Sequence, residues 1–113
     1  MNWIDLNEEQ QLEQLKAESS SRPVVIFKHS TRCSISTMAK GRLDRETAPA
    51  EAAFYYLDLL RYRPLSNKIA EVFGIEHASP QVLLIKDGKC VYDESHNGID
   101  MSEIDTQIRH VFH

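Results

Sequence analysis

The chain has 113 residues, 42% of them hydrophobic, which is the size and apolar content of one ordinary domain that can bury a core without metal or disulfide staples. Its 17 acidic residues against 13 basic ones give a formal charge of -4, with no long basic run, so an electrostatic grip on nucleic acid or on an anionic membrane is not expected. Two cysteines, Cys33 and Cys90, are too few for a disulfide framework.

The first residues, Met1-Asn2-Trp3-Ile4-Asp5, contain neither a basic n-region nor a sustained apolar run, and no window approaches the length of a membrane span. A cytoplasmic protein with free cysteines is the expectation. From Asn7 to Ala17 the pattern predicts a charged surface helix, with Asn7 as cap, Gln10 reaching back to it, and Leu12 and Leu15 as a thin apolar stripe. Ser19-Ser20-Ser21 reads as a loop. Val24 to Lys28 is an unbroken apolar run ending in a lysine, the pattern of a strand buried on both faces at the centre of a sheet.

The polar segment Lys28-His29-Ser30-Thr31-Arg32-Cys33-Ser34-Ile35-Ser36 follows, and then a helix with Ile35, Met38, Ala39 and Leu43 at helical spacing, fading before Pro49. Cys33 therefore stands at a helix start, where unpaired N–H groups and the helix dipole favour thiolate over thiol. It is the candidate reactive centre. Lys28, Arg32, Lys40 and Arg42 lie nearby with no carboxylate between Lys28 and Arg42, and Arg32 is the cation expected to act most directly. Ser36 can offer its hydroxyl or N–H to the sulfur.

Phe54 to Leu60 reads as a second strand, parallel to the first through a right-handed crossover. A helix beginning at Pro64 or Ser66 places Leu65, Ile69, Val72 and Phe73 on one face and ends at Gly74 in a left-handed conformation. Val82–Lys86 and Lys89–Asp93 around Asp87-Gly88 form a predicted antiparallel hairpin. The last helix has Asp100 as N-cap and Met101, Ile104, Ile108, Val111 and Phe112 along one stripe. The order is α, βαβ, α, ββ, α: an α/β domain over residues 1–113, with a four-stranded mixed sheet flanked by helices.

That order resembles the thioredoxin fold, and Cys33-Ser34-Ile35-Ser36 resembles its C-x-x-C motif with serine in place of the resolving cysteine. Phe27-Lys28-His29-Ser30-Thr31, His77-Ala78-Ser79-Pro80-Gln81 and Ser95-His96-Asn97-Gly98-Ile99 together resemble the YtxJ family, the monothiol bacilliredoxins of the bacillithiol system. The resemblance spans Val24 to the C-terminus. It implies a cis Ser79-Pro80 bond, with the backbone of Ser79 offered to a thiol substrate, and a substrate site of Arg32, Ser34, Ser36, Ser79 and Pro80 around the catalytic Cys33. The implied activity is removal of bacillithiol, or a related small thiol, from S-thiolated client proteins. That small thiol would be a co-substrate, with no tightly bound cofactor, and a separate reductase a recycling partner. From the residues themselves, no metal is expected, since no paired His or Cys spacing recurs, and a monomer is expected, since no long exposed apolar strand is evident. One departure is Ser34, where that family commonly has proline; serine adds an N–H and a hydroxyl.

Other readings remain open at this point. A monothiol protein of this type could hold an iron-sulfur cluster between two subunits, or act as a redox sensor or binding module without turnover. Cys90 could be a resolving thiol, but the hairpin carries it about a strand's length, roughly 20 Å, from the reactive end, so core filling is the favoured reading. His29, His77 and His96 fall at the same end, where hydrogen bonding to loop backbone is favoured over ligand or metal binding. Arg61 and Arg63 read as surface charges.

Overall fold

The computed structural model describes residues 1–112. Five strands, β1 (Trp3–Asp5), β2 (Val24–His29), β3 (Ala53–Asp58), β4 (Gln81–Lys86) and β5 (Lys89–Ser95), make one sheet in the order β1-β3-β2-β4-β5. Four helices, α1 (Gln10–Glu18), α2 (Ser34–Arg45), α3 (Arg63–Phe73) and α4 (Met101–Phe112), cover it. The central position of β2 follows from its sequence: Val24 through His29 are all buried, which only an inner strand covered on both faces allows.

Alternation along β2 sends Val24 and Ile26 to one face, against Leu12 and Leu15 of α1 and Leu65 and Ile69 of α3. Val25 and Phe27 go to the other, against Ala39 and Leu43 of α2 and Ile104 and Ile108 of α4. β2 pairs parallel with β3, and β4 and β5 form the antiparallel hairpin, turning at Asp87 (φ 51°) and Gly88 (φ 75°). α3 ends at Gly74 with φ 65°, and Asp100 caps α4 by accepting from the Glu103 N–H at 3.2 Å.

Four features differ from the sequence expectation. The sheet has a fifth strand: Trp3–Asp5 pairs parallel with Phe54, Tyr55 and Tyr56 of β3. Three residues are too few to show a period, and what fixes them is tertiary contact. The Trp3 ring stacks on Phe27 at 5.5 Å, meets Phe54 edge-on at 6.0 Å, and donates its Nε1–H to Asp44 at 2.8 Å.

The entry to α1 is fastened by Gln11, not by Asn7 and Gln10. Its Oε1 accepts the N–H groups of Asn7 and Glu8 at 2.8 and 2.9 Å, and its amide donates to the Asp5 carbonyl.

The second strand stops at Asp58, where its partner β2 stops at His29. Beyond it the Leu59 N–H turns back to the His29 carbonyl at 3.0 Å.

In α2 the buried face is Ser36, Ala39 and Leu43. Ile35 and Met38, expected on the core stripe, are exposed at 38% and 61%. A serine takes the inward position because it serves the site at the head of the helix.

Candidate active site

β2 ends at the buried His29, the buried Ser30 follows, and the chain turns through residues 30–33, with the Cys33 N–H donating to the Ser30 carbonyl at 3.1 Å. Cys33 is the N-cap of α2, with extended backbone (φ -105°, ψ 120°), and its carbonyl accepts the Thr37 N–H at 3.0 Å. In most helices the N-cap side chain is an oxygen that accepts from the N–H of the second or third helical residue. Here a thiol takes that position, facing the N–H groups of Ile35 and Ser36. The Ser36 N–H chiefly, then the Ser36 hydroxyl and the Ile35 N–H, hold the Cys33 pKa below that of an ordinary thiol, against a smaller opposing effect of burial. The neutral thiol makes no side-chain capping bond, so these donors act mainly on the charged form. Cys33 is half-exposed and open to attack on a disulfide.

Ser36 is fully buried, and its hydroxyl lies 3.5 Å from that of Ser79. Ser79 is joined to the buried Pro80 by a cis peptide bond, and its contact with Ser36 brings the loop before β4 to the first turn of α2. The 3-10 turn His96–Gly98 closes the same end. The His96 N–H donates to the Pro80 carbonyl at 3.0 Å, and the Arg42 guanidinium donates to the carbonyls of His96 at 3.4 Å and Ile99 at 3.1 Å. A Cβ at Gly98 would come within 2.6 Å of the Glu94 side chain, which would have to shift. All three segments singled out in the sequence thus converge at one end of the sheet.

The cationic cluster expected around the sulfur does not form. Lys28 alternates onto the α1/α3 face, where its Nζ is fully buried and donates to the Ser66 carbonyl at 3.1 Å. Lys40 pairs with Asp44 at 2.8 Å, and Arg42 is spent on loop carbonyls. Arg32 is exposed, with no ion pair among the described residues, and the lowering of the thiol pKa arises at Ser36 and Ile35 and not at any arginine or lysine. Ser34, also exposed, takes no part in that shift.

Cys90 is half-buried in β5, and burial first of all pushes its thiol pKa up to about 11, while its S–H donates to the Tyr92 carbonyl at 3.4 Å. It pairs with Ile85, which pairs with Val24, at the end of β2 opposite His29. Five residue steps of strand, about 16 Å, separate that end from the Cys33 loop, too far for a disulfide.

Sequence reasoning missed the roles of the histidines. His29 is buried, its Nδ1 2.9 Å from the Tyr56 hydroxyl, and His77 Nδ1 lies 3.3 Å from Lys28 Nζ. Only the alternation of Val24, Ile26 and Lys28 hinted that the lysine points inward.

The five-stranded sheet, the cysteine capping the first long helix and the cis proline opposite it define a thioredoxin-fold protein with one thiol at the redox position. The chain belongs to the monothiol bacilliredoxin BrxC family, whose model matches residues 4–104. Among solved structures, it is similar to a candidate oxidoreductase with a thioredoxin fold, at 30% identity and TM-score 0.80, over 91% of this chain and 90% of the other. It is also similar to thioredoxin from Malassezia sympodialis (20% identity, TM-score 0.72, 96% and 90% of the two chains). Thioredoxin from Trypanosoma brucei brucei matches at 11% identity and TM-score 0.76, over 98% and 91% of the chains. These two likenesses establish fold alone; the family and the first structure add a thiol redox role.

Proposed function

We propose that the chain is a monothiol thiol-disulfide oxidoreductase that removes bacillithiol, or a closely related low-molecular-weight thiol, from protein mixed disulfides through Cys33. The observation that carries the reading is a single accessible, acidified thiol at the head of α2, with buried Ser36 where a second cysteine would stand and Cys90 out of reach. The Cys33 thiolate attacks the small-thiol sulfur of the client disulfide. A new sulfur-sulfur bond forms on Cys33, the old one breaks, and the client cysteine leaves as thiolate and takes a proton from solvent. A second small thiol, or the thiol of a reductase, then attacks the adduct, returns Cys33 to thiolate and carries the small thiol away as a disulfide. Ser36 cannot supply that electron pair, so the cycle needs an external thiol.

Ile35 and Met38, exposed on the first turns of α2, suit an apolar surface around the client cysteine, and the Ser79 hydroxyl meets Ser36 from the loop before β4. The test is de-thiolation of a bacillithiolated model protein. Cys33→Ser abolishes it and Cys90→Ser leaves it within about twofold, the scatter of a surface change that leaves the site intact. Equal loss in both variants contradicts a single-thiol mechanism.

A further inference from the structure

Among the described residues, Lys28 is the only lysine, arginine, aspartate or glutamate that is fully buried, and the exchange chemistry above makes no use of it. A charge in that position needs partners. They are the Ser66 carbonyl in the first turns of α3, at 3.1 Å, and His77 Nδ1 in the loop before β4, at 3.3 Å. The buried Ser66 hydroxyl lies 3.4 Å from the same Nδ1. An ammonium has donors only, so His77 Nδ1 must accept, and the ring proton of the neutral imidazole must sit on Nε2.

His77 stands two residues before Ser79, whose hydroxyl faces Ser36 beside the reactive sulfur. A short path therefore runs from the lysine through the imidazole and the loop to the cis proline. We propose that Lys28 is a positioning residue for the exchange reaction: its buried ammonium holds His77 as the neutral Nε2–H tautomer and thereby fixes the 77–80 loop against the head of α2. The proposal rests on the reading of Cys33 as the exchange thiol.

The charges around the imidazole are Lys28 from β2 and Arg63 from α3, with exposed Glu76 next to it in its own loop. Desolvation of the partly covered ring, then Lys28, then Arg63 lower the His77 pKa, which favours the neutral ring. Burial lowers Lys28 to about 8, so it is mainly charged at pH 7 and loses its proton within the range where exchange can be assayed. The arrangement fails on both sides: in acid, a proton on Nδ1 faces the ammonium, and in alkali the free amine no longer enforces the tautomer.

The experiment combines nitrogen-15 NMR of the His77 ring with two rates measured across pH, alkylation of Cys33 by iodoacetamide and exchange with a bacillithiolated protein. Wild type is expected to show the Nε2–H tautomer at pH 7 and to lose it above pH 8. Lys28→Met is expected to give mixed tautomers, an unchanged alkylation profile and exchange slowed about tenfold, the loss of one charge-assisted contact. His77→Gln, at an exposed position, is expected to slow exchange equally, with no further loss in the double variant. An Nδ1–H tautomer in wild type, or wild-type exchange in Lys28→Met, overturns the proposal. The tautomer is read without any variant or activity. A wild-type protein that holds the tautomer but exchanges nothing therefore condemns the Cys33 reading and, with it, the positioning role.

Discussion

The Ser36 hydroxyl lies 3.5 Å from the Ser79 hydroxyl, and the same Ser36 lends its N–H and hydroxyl to the Cys33 sulfur. One buried serine thus joins the head of the reactive helix to the loop carrying the cis peptide. In a two-cysteine relative of this fold that position holds the resolving thiol. Here it supplies hydrogen bonds, which lower the Cys33 pKa, in place of a second electron pair, and under the proposed mechanism an external thiol must then reset the site.

Ser36→Ala keeps the backbone N–H, the largest contributor to the lowered Cys33 pKa, and removes the hydroxyl. The midpoint of the pH profile of iodoacetamide alkylation is expected to move upward, with the rate at pH 7 falling roughly two- to fivefold. The loss is moderated because a more basic thiolate is also a better nucleophile. A profile superimposable on wild type would mean that the hydroxyl serves only Ser79.

Cys90 gives stability a pH dependence whose sign is fixed by its buried thiol. Its folded-state pKa of about 11 stands above the ordinary 9.0, so the native state keeps a proton that the unfolded chain releases. The stabilisation is complete below pH 9 and is lost as pH rises toward 11. Because Cys90 is only half-buried, the loss at pH 10 is expected to be on the order of 1 kcal/mol. In urea unfolding under reducing conditions, the advantage of wild type over Cys90→Ala shrinks by that amount between pH 7.5 and pH 10.

Trp3→Ala removes the stack on Phe27, the edge contact with Phe54 and the bond to Asp44. The half-buried ring makes a cost of roughly 2–4 kcal/mol the expected outcome in urea unfolding. Alkylation of Cys33 at pH 7 is expected to be unchanged, since β1 lies at the sheet edge, beyond β3.

How far the sequence carried the structure depends on where each signal came from. Local patterns with a physical cause were legible: the apolar run of β2, the Asp87-Gly88 turn, Gly74 ending α3, and Cys33 at a helix start. The cis bond at Pro80 was expected from resemblance alone, because composition does not mark an isomer. Tertiary effects stayed hidden. Trp3–Asp5 is a strand only because β3 and Phe27 receive it. Ile35 and Met38 carry core-type side chains yet face solvent, since Ser36 must turn inward. Lys28, Lys40 and Arg42, near Cys33 in sequence, are directed to other partners, so the acidity of the thiol comes from the helix-start N–H groups and the Ser36 hydroxyl that the sequence did offer, and not from the cations counted around it.

The central claim is that one thiol carries the small molecule, and intact-mass analysis of the wild-type protein after brief reaction with a bacillithiolated client tests it most directly. The account predicts a single bacillithiol adduct, mapped by peptide analysis to Cys33, together with the freed client. An adduct on Cys90, a Cys33–Cys90 disulfide, or an unmodified protein beside an unchanged client would contradict it.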